Sequence, residues 1–101
     1  NEGNVWAADN GIRNGKGDIV AQTRYIFQRF EKILKAAGGS FDNIVETTEY
    51  FLTLENYNRT AEVRREFFKG PPYPAATGVL VSGLIREHAL IEIKAIAVLD
   101  G

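Results

Sequence analysis

The stretch from Pro74 to Leu99 constrains this chain more than any other. It reads PAATGVLVSGL, then IREHA, then LIEIKAIAVL. Two β-rich runs joined by a short polar link predict an antiparallel strand pair. In the first run Thr77, Val79 and Val81 fall on one face, and Gly78, Leu80 and Ser82 on the other. In the second, Ile91, Ile93, Ala95, Ala97 and Leu99 share a face, opposite Leu90, Glu92, Lys94, Ile96 and Val98. Glu92 thus sits among Leu90, Ile91 and Ile93, where an unpaired charge is costly to bury. That carboxylate is the best single pointer to a site. The plain alternative is an ion pair with Lys94, two residues along the same face.

The rest of the chain supplies what such strands must pack against. Asn4 to Ala8 reads as a short strand, followed by a polar surface loop through Gly11, Asn14, Gly15 and Gly17. No GxxxxGK[ST] phosphate loop is present. Asp18 is a good N-cap for a helix from Ile19 to Ala37. Its apolar stripe is Ile19, Thr23, Ile26, Phe30, Ile33 and Ala37, flanked by Phe27 and Leu34. Gly38-Gly39 ends it. Ser40 to Asn43 is a turn, and IVETTEYFL (Ile44 to Leu52) a strand. Asn56 or Glu55 caps a shorter helix from Tyr57 to Phe68, whose apolar face contains Arg64. The simpler expectation for Arg64 is a packed stem with its guanidinium in water. The functional one is that it reaches a buried carboxylate or an anionic ligand. KGPPY (Lys69 to Tyr73) must be a loop. The order β, α, β, α, β, β predicts an α+β fold with two helices on one face of a mixed sheet.

Composition bounds the partners. The chain has 101 residues, enough for one domain, 1–101. A core of that size is modest, so help from an oligomer interface is plausible. Net charge is −1, which leaves no electrostatic footprint for nucleic acid or an anionic membrane. No apolar run approaches the roughly 20 residues of a membrane span. With no cysteine, thiolate chemistry and disulfides are excluded, and a reducing, cytoplasmic setting is expected. The single His88 has no HExxH spacing or second histidine, so no metal is expected. No GxSxG elbow is present. What remains is a set of carboxylates and hydroxyls: Glu92, Glu46, Glu49, Thr77, Tyr50 and Tyr73. A carboxylate in an apolar pocket can act as general acid or base near neutral pH.

Read in order, several pieces carry a resemblance. They are Gly17-Asp18-Ile19 with Gln22-Thr23, Ile33-Leu34 with Ala37-Gly38, and Ile44-Val45. Tyr50-Phe51-Leu52, Tyr57 and Phe67-Phe68 follow. Pro74-Ala75, Ile91-Glu92-Ile93 and Ala95-Ile96-Ala97 close the set. From Gly17 to Val98 the chain resembles the reactive intermediate deaminase family, also called RidA or YjgF. GNVWAA looks like the family strand that reads GN.VFVSGQ, although the segment from Asn4 to Gly17 is shorter than usual and the preceding strand is missing.

The resemblance implies a chorismate-mutase-like fold, assembled as a homotrimeric barrel with helices outside and small-molecule clefts between subunits. Active relatives hydrolyse enamines and imines without a cofactor. In them an arginine directly after the Pro-Ala pair holds the substrate carboxylate, and a glutamate in the last strand positions or protonates the attacking water. Glu92 stands at the glutamate position and is the implied catalytic residue. The arginine position is Ala76, followed by Thr77 and Gly78. With Arg64 and Tyr73 these form the expected substrate-binding set, with Arg64 the candidate to replace the missing guanidinium. A lost bidentate fork weakens carboxylate binding by roughly 2–5 kcal/mol in a desolvated site. Two functions stay open at this point: a divergent imine or enamine hydrolase, and a non-catalytic metabolite-binding or regulatory trimer. RNA cleavage, a label attached to the family, finds no basic-aromatic surface here.

Overall fold

Helix α1, Ile19–Ala36, begins where Asp18 accepts hydrogen bonds from the amides of Val20 and Ala21 (3.0 and 3.1 Å). That satisfies two of the donors a helix N-terminus leaves open. It ends where Gly38 takes φ of +83°, with Gly38 N–H bonded to the Lys35 carbonyl and Gly39 N–H to that of Leu34. A side chain at Gly38 would be strained in this left-handed turn, which is why the helix stops there. The buried stripe is Ile19, Ile26, Phe27, Phe30 and Leu34, with Gln22 and Thr23. It runs out along Leu34, so Ala37 is exposed and not part of it.

The computed structural model describes residues 3–9, as backbone, and 17–99. The polar loop expected through Gly11, Asn14 and Gly15 lies outside the described residues. The strands are β1 (Gly3–Asp9), β2 (Ile44–Phe51), β3 (Ala75–Leu80) and β4 (Ile91–Leu99), in the sheet order β1-β4-β2-β3. Helix α2 (Ala61–Phe67) follows a 3₁₀ turn at Tyr57–Thr60. The fold is therefore α+β, with both helices on one face of a mixed sheet.

One expectation is overturned here. β3 and β4 do not form a hairpin. β4 pairs antiparallel with β1 and with β2, while β3 pairs parallel with β2. The physical reason lies in the connections. The segment from Leu52 to Pro74, with α2 in it, is long enough for a parallel crossover from β2 to β3. The link from Val81 to Leu90 then carries the chain past β2 to its other edge. Gln22, fully buried on α1, fixes the end of that link: its amide donates to the His88 carbonyl (3.0 Å) and accepts from Leu90 N–H (2.8 Å).

A second correction concerns the cap of the shorter helix. Asn56 occupies that place with φ of +60° but makes no side-chain capping bond, and the chain enters through the 3₁₀ turn instead. Glu55 does not cap either; its amide is held by the Thr53 hydroxyl. The turn at Ser40–Asn43 is as expected, tightened into a 3₁₀ helix by Ser40 and Asn43 bonding reciprocally.

The core lies between the helices and one sheet face. Ile91, Ile93, Ala95 and Ala97 of β4 enter it, as their alternation requires. Phe27 stands at its centre, with the rings of Phe30, Phe41, Phe67 and Phe68 at centroid distances of 5.6–6.1 Å. Outside it, Arg24 of α1 forks onto Glu66 of α2 (2.6 and 3.1 Å) and holds that carboxyl below its ordinary range. Water screens this surface pair, so it orients the helices more than it stabilises them. No described helix is long and apolar enough to cross a membrane.

Candidate functional site

Alternation along β2 sends Thr47, Glu49 and Phe51 toward the helices. Glu49 is thereby placed in the core layer, where a lone carboxylate would be costly. Arg64, in the middle of α2, answers it. Its Nε donates to Glu49 Oε2 (2.9 Å) and its Nη2 to Oε1 (2.5 Å), a two-pronged pairing. Nη1 donates to the Thr60 hydroxyl (2.7 Å), which in turn donates to the Tyr57 carbonyl (2.6 Å). The Tyr57 hydroxyl donates to Glu49 Oε1. Tyr57 stacks on Phe51 at 4.1 Å and lies under the Arg64 guanidinium, 5.4 Å from its ring centroid. The expectation that Arg64 sends its guanidinium to water is thus overturned. The pairing also explains why an arginine sits in an apolar helix face.

This network borders a cavity of about 270 Å³. Thr47, Glu49, Arg64 and Arg65 supply its polar wall, and Phe27, Phe68, Pro74 and Ala76 its apolar wall, with Tyr73 beside them. Ala76 and Gly78 lie on the helix side of β3. A Cβ at Gly78 would meet Phe51 Cε2 at 3.2 Å and the Tyr57 hydroxyl at 3.6 Å, so that position is closed to larger residues without rearrangement.

The remaining expected site residues lie elsewhere. Glu92 is half-buried on the opposite sheet face, across from Tyr50, and Tyr50 in turn faces Val79. Thr77 shares that face, in a row with Thr48 and Lys94. No ion pair joins Glu92 to Lys94 among the described residues. The structure therefore brings together Ala76, Gly78, Arg64 and Tyr73, and separates them from Glu92 and Thr77 by the thickness of the sheet. Among the described residues no cluster of three or more His, Asp or Glu could hold a metal.

Comparison with known proteins decides the family. The profile of the endoribonuclease L-PSP family matches residues 5–99. A RutC family protein of Pyrococcus horikoshii is 40% identical over 82 residues, covering 81% of this chain and 64% of its own. The chain belongs to the YjgF/RidA family. Protein DfrA of Myxococcus xanthus is 37% identical over 83 residues, covering 82% of this chain and 62% of its own. The chain thus spans a little under two thirds of the length of these curated relatives. Among solved structures, a Rid-family protein of unknown function from Yersinia pestis superposes with a TM-score of 0.87 at 30% identity, covering 98% of this chain and 82% of its own. A YjgF family member from Mycobacterium tuberculosis gives 0.83 at 32%, covering 96% and 80%. The family, and the α+β class with two helices on a mixed sheet, are as the sequence implied.

The Glu49 side of the network was only partly foreseen. Glu49 shares its parity with Thr47 and Phe51, and Arg64 shares its face with Val63 and Phe67. Two opposite charges on inward-facing positions were the signal for a buried pair. Burial, and then the bond to Glu49, push the Tyr57 hydroxyl up to about 12 from 10.0, partly offset by Arg64. An unfolded tyrosine releases its proton near pH 10. The unfolded chain therefore loses this proton first as pH rises. The linked stabilisation is complete below pH ~10 and disappears between about 10 and 12. Denaturation midpoints should fall more steeply across that window than those of Tyr57→Phe. Parallel slopes would mean that Tyr57 titrates freely.

Proposed function

We propose that this protein assembles as a homotrimer and binds a small metabolite beside β3, and that Glu92 acts as acid or base in hydrolysing an imine or enamine there without a cofactor. The observation that carries this reading is the cavity against Ala76 and Arg64, at the position where the family resemblance places the ligand. Glu92 and Thr77 lie on the other sheet face, so a site holding all of these groups has to be completed by a second copy of the chain. Exposed Val79 and Val98, with Ile96 between strands on that far face, supply an apolar surface for such an assembly. The RNA-cleaving activity named in the family description gains nothing from a net charge of −1.

Light scattering is expected to give the mass of three chains. Ammonia release from an uncharged imine, made in place from a primary amine by a flavin-dependent amine oxidase, should exceed background. Glu92→Gln should lower that acceleration by at least ~100-fold while ligand binding persists, in line with the usual contribution of a general acid or base. Undiminished turnover in the variant would remove Glu92 from the mechanism. A non-catalytic, metabolite-binding trimer is the second reading. It is favoured by the separation of Glu92 from the cavity and by alanine at position 76. Its signature is saturable binding with no acceleration of ammonia release.

A further inference from the structure

We infer that the cavity beside α2 and β3 selects an uncharged ligand, a planar amide- or imine-type head on a small apolar body, over a carboxylate or a cation. This rests on the reading of that cavity as a small-molecule site.

Charge is the first ground. Arg64 and Glu49 cancel each other, with both carboxylate oxygens accepting from the one guanidinium. An entering carboxylate would compete with Glu49 for the same N–H edge and sit beside its buried negative charge, a repulsion that low surrounding polarity strengthens. An entering cation meets Arg64 in the same way. The second cation of the lining, Arg65, is exposed, so water and salt screen it.

The walls are the second ground. Phe27, Phe68, Pro74 and Ala76 cannot replace the water that a charged ligand must shed, whereas an apolar ring loses little on entering. The volume of about 270 Å³ is ample for one ring. A cavity of about 150 Å³ already accepts benzene.

Residual hydrogen bonding is the third. A guanidinium has five N–H groups. Nε, one N–H of Nη2 and one of Nη1 are committed to Glu49 and Thr60, and Nη2 reaches the Tyr57 hydroxyl only at 3.4 Å. The second N–H of Nη1 remains for a carbonyl or imine acceptor. Glu49 Oε2 accepts one bond and retains a lone pair for a ligand N–H. An amide offers acceptor and donor side by side.

Benzamide, benzoate and benzamidinium share one ring and differ in charge, so they separate these terms. In titrations of the full chain followed by NMR and calorimetry at neutral pH, benzamide should bind saturably, at least tenfold tighter than either ion. Ala76 lies exposed on an edge strand, so changes there leave the core intact. Ala76→Lys should raise benzoate affinity at least tenfold, and Ala76→Phe should abolish benzamide binding. Benzoate or benzamidinium binding the unaltered chain as tightly as benzamide overturns the charge selection and leaves the cavity as a ligand site. No saturable binding by any of the three, or benzamide binding indifferent to Ala76→Phe, overturns the cavity reading as well.

Discussion

Phe27→Ala should cost about 3–5 kcal/mol of folding stability, the range for removing a large buried aromatic. Phe27 is 1% exposed, and four other phenylalanine rings surround it. Those rings come from α1, the 3₁₀ turn before β2 and the end of α2, so they cannot all collapse into the space left behind. Edge-to-face contacts with Phe41, Phe67 and Phe68 add to the loss beyond area alone. Small domains have only about 5–15 kcal/mol in total, so the variant should be near its folding threshold. For a chain of this size each kcal/mol shifts the melting temperature by roughly 4–8 °C. A drop of at least about 12 °C in a thermal scan, with a matching shift in denaturant midpoint, is the expected result. A drop below about 4 °C would show that the ring cluster is not the centre of the core. Phe27 also walls the cavity, so Phe27→Leu, a milder change, should alter ligand affinity while the chain stays folded.

The second large effect is an asymmetry. Arg64→Met should cost about 3 kcal/mol, because it strands Glu49 as an uncompensated charge in the core layer. Glu49→Val should cost less, about 1 kcal/mol, although it breaks the same pair. The difference follows from exposure: the Arg64 side chain is 27% exposed and can turn to water, whereas Glu49 is 5% exposed and cannot. Combining the two changes should recover most of the loss, since well-packed apolar residues replace buried ion pairs at little net cost. A double-mutant cycle measures this directly. Equal costs for the two single variants would show that the carboxylate reaches solvent as readily as the guanidinium does. Additive costs would mean that the pair is not coupled.

How legible was all this in the sequence? Hydrophobic period and cap chemistry were enough for α1, from Asp18 to Gly38, because both act over a single turn of chain. Alternation in IEIKAIA likewise assigned Ile91, Ile93, Ala95 and Ala97 to one buried face. The family was readable from ordered short motifs between Gly17 and Val98. Pairing was not readable: Val81 to Leu90 looks like a hairpin link, and nothing local says that β2 will take the place beside β4. Gln22 was also invisible as a clamp, since its partners at His88 and Leu90 are remote in sequence.

The candidate site divides along the same line. Residue types and pattern singled out Glu92, Thr77, Arg64 and Tyr73, and the family resemblance added Ala76 and Gly78. Only the tertiary structure decided which of them share a surface. Strand alternation puts Ala76 and Gly78 on one side of β3 and Thr77 on the other, but which side faces the helices depends on the parallel pairing with β2. Arg64 could equally have reached water, a ligand or a carboxylate by its local sequence. Packing of α2 over Glu49 settled the choice, because a carboxylate turned into the core has to find its counter-charge there.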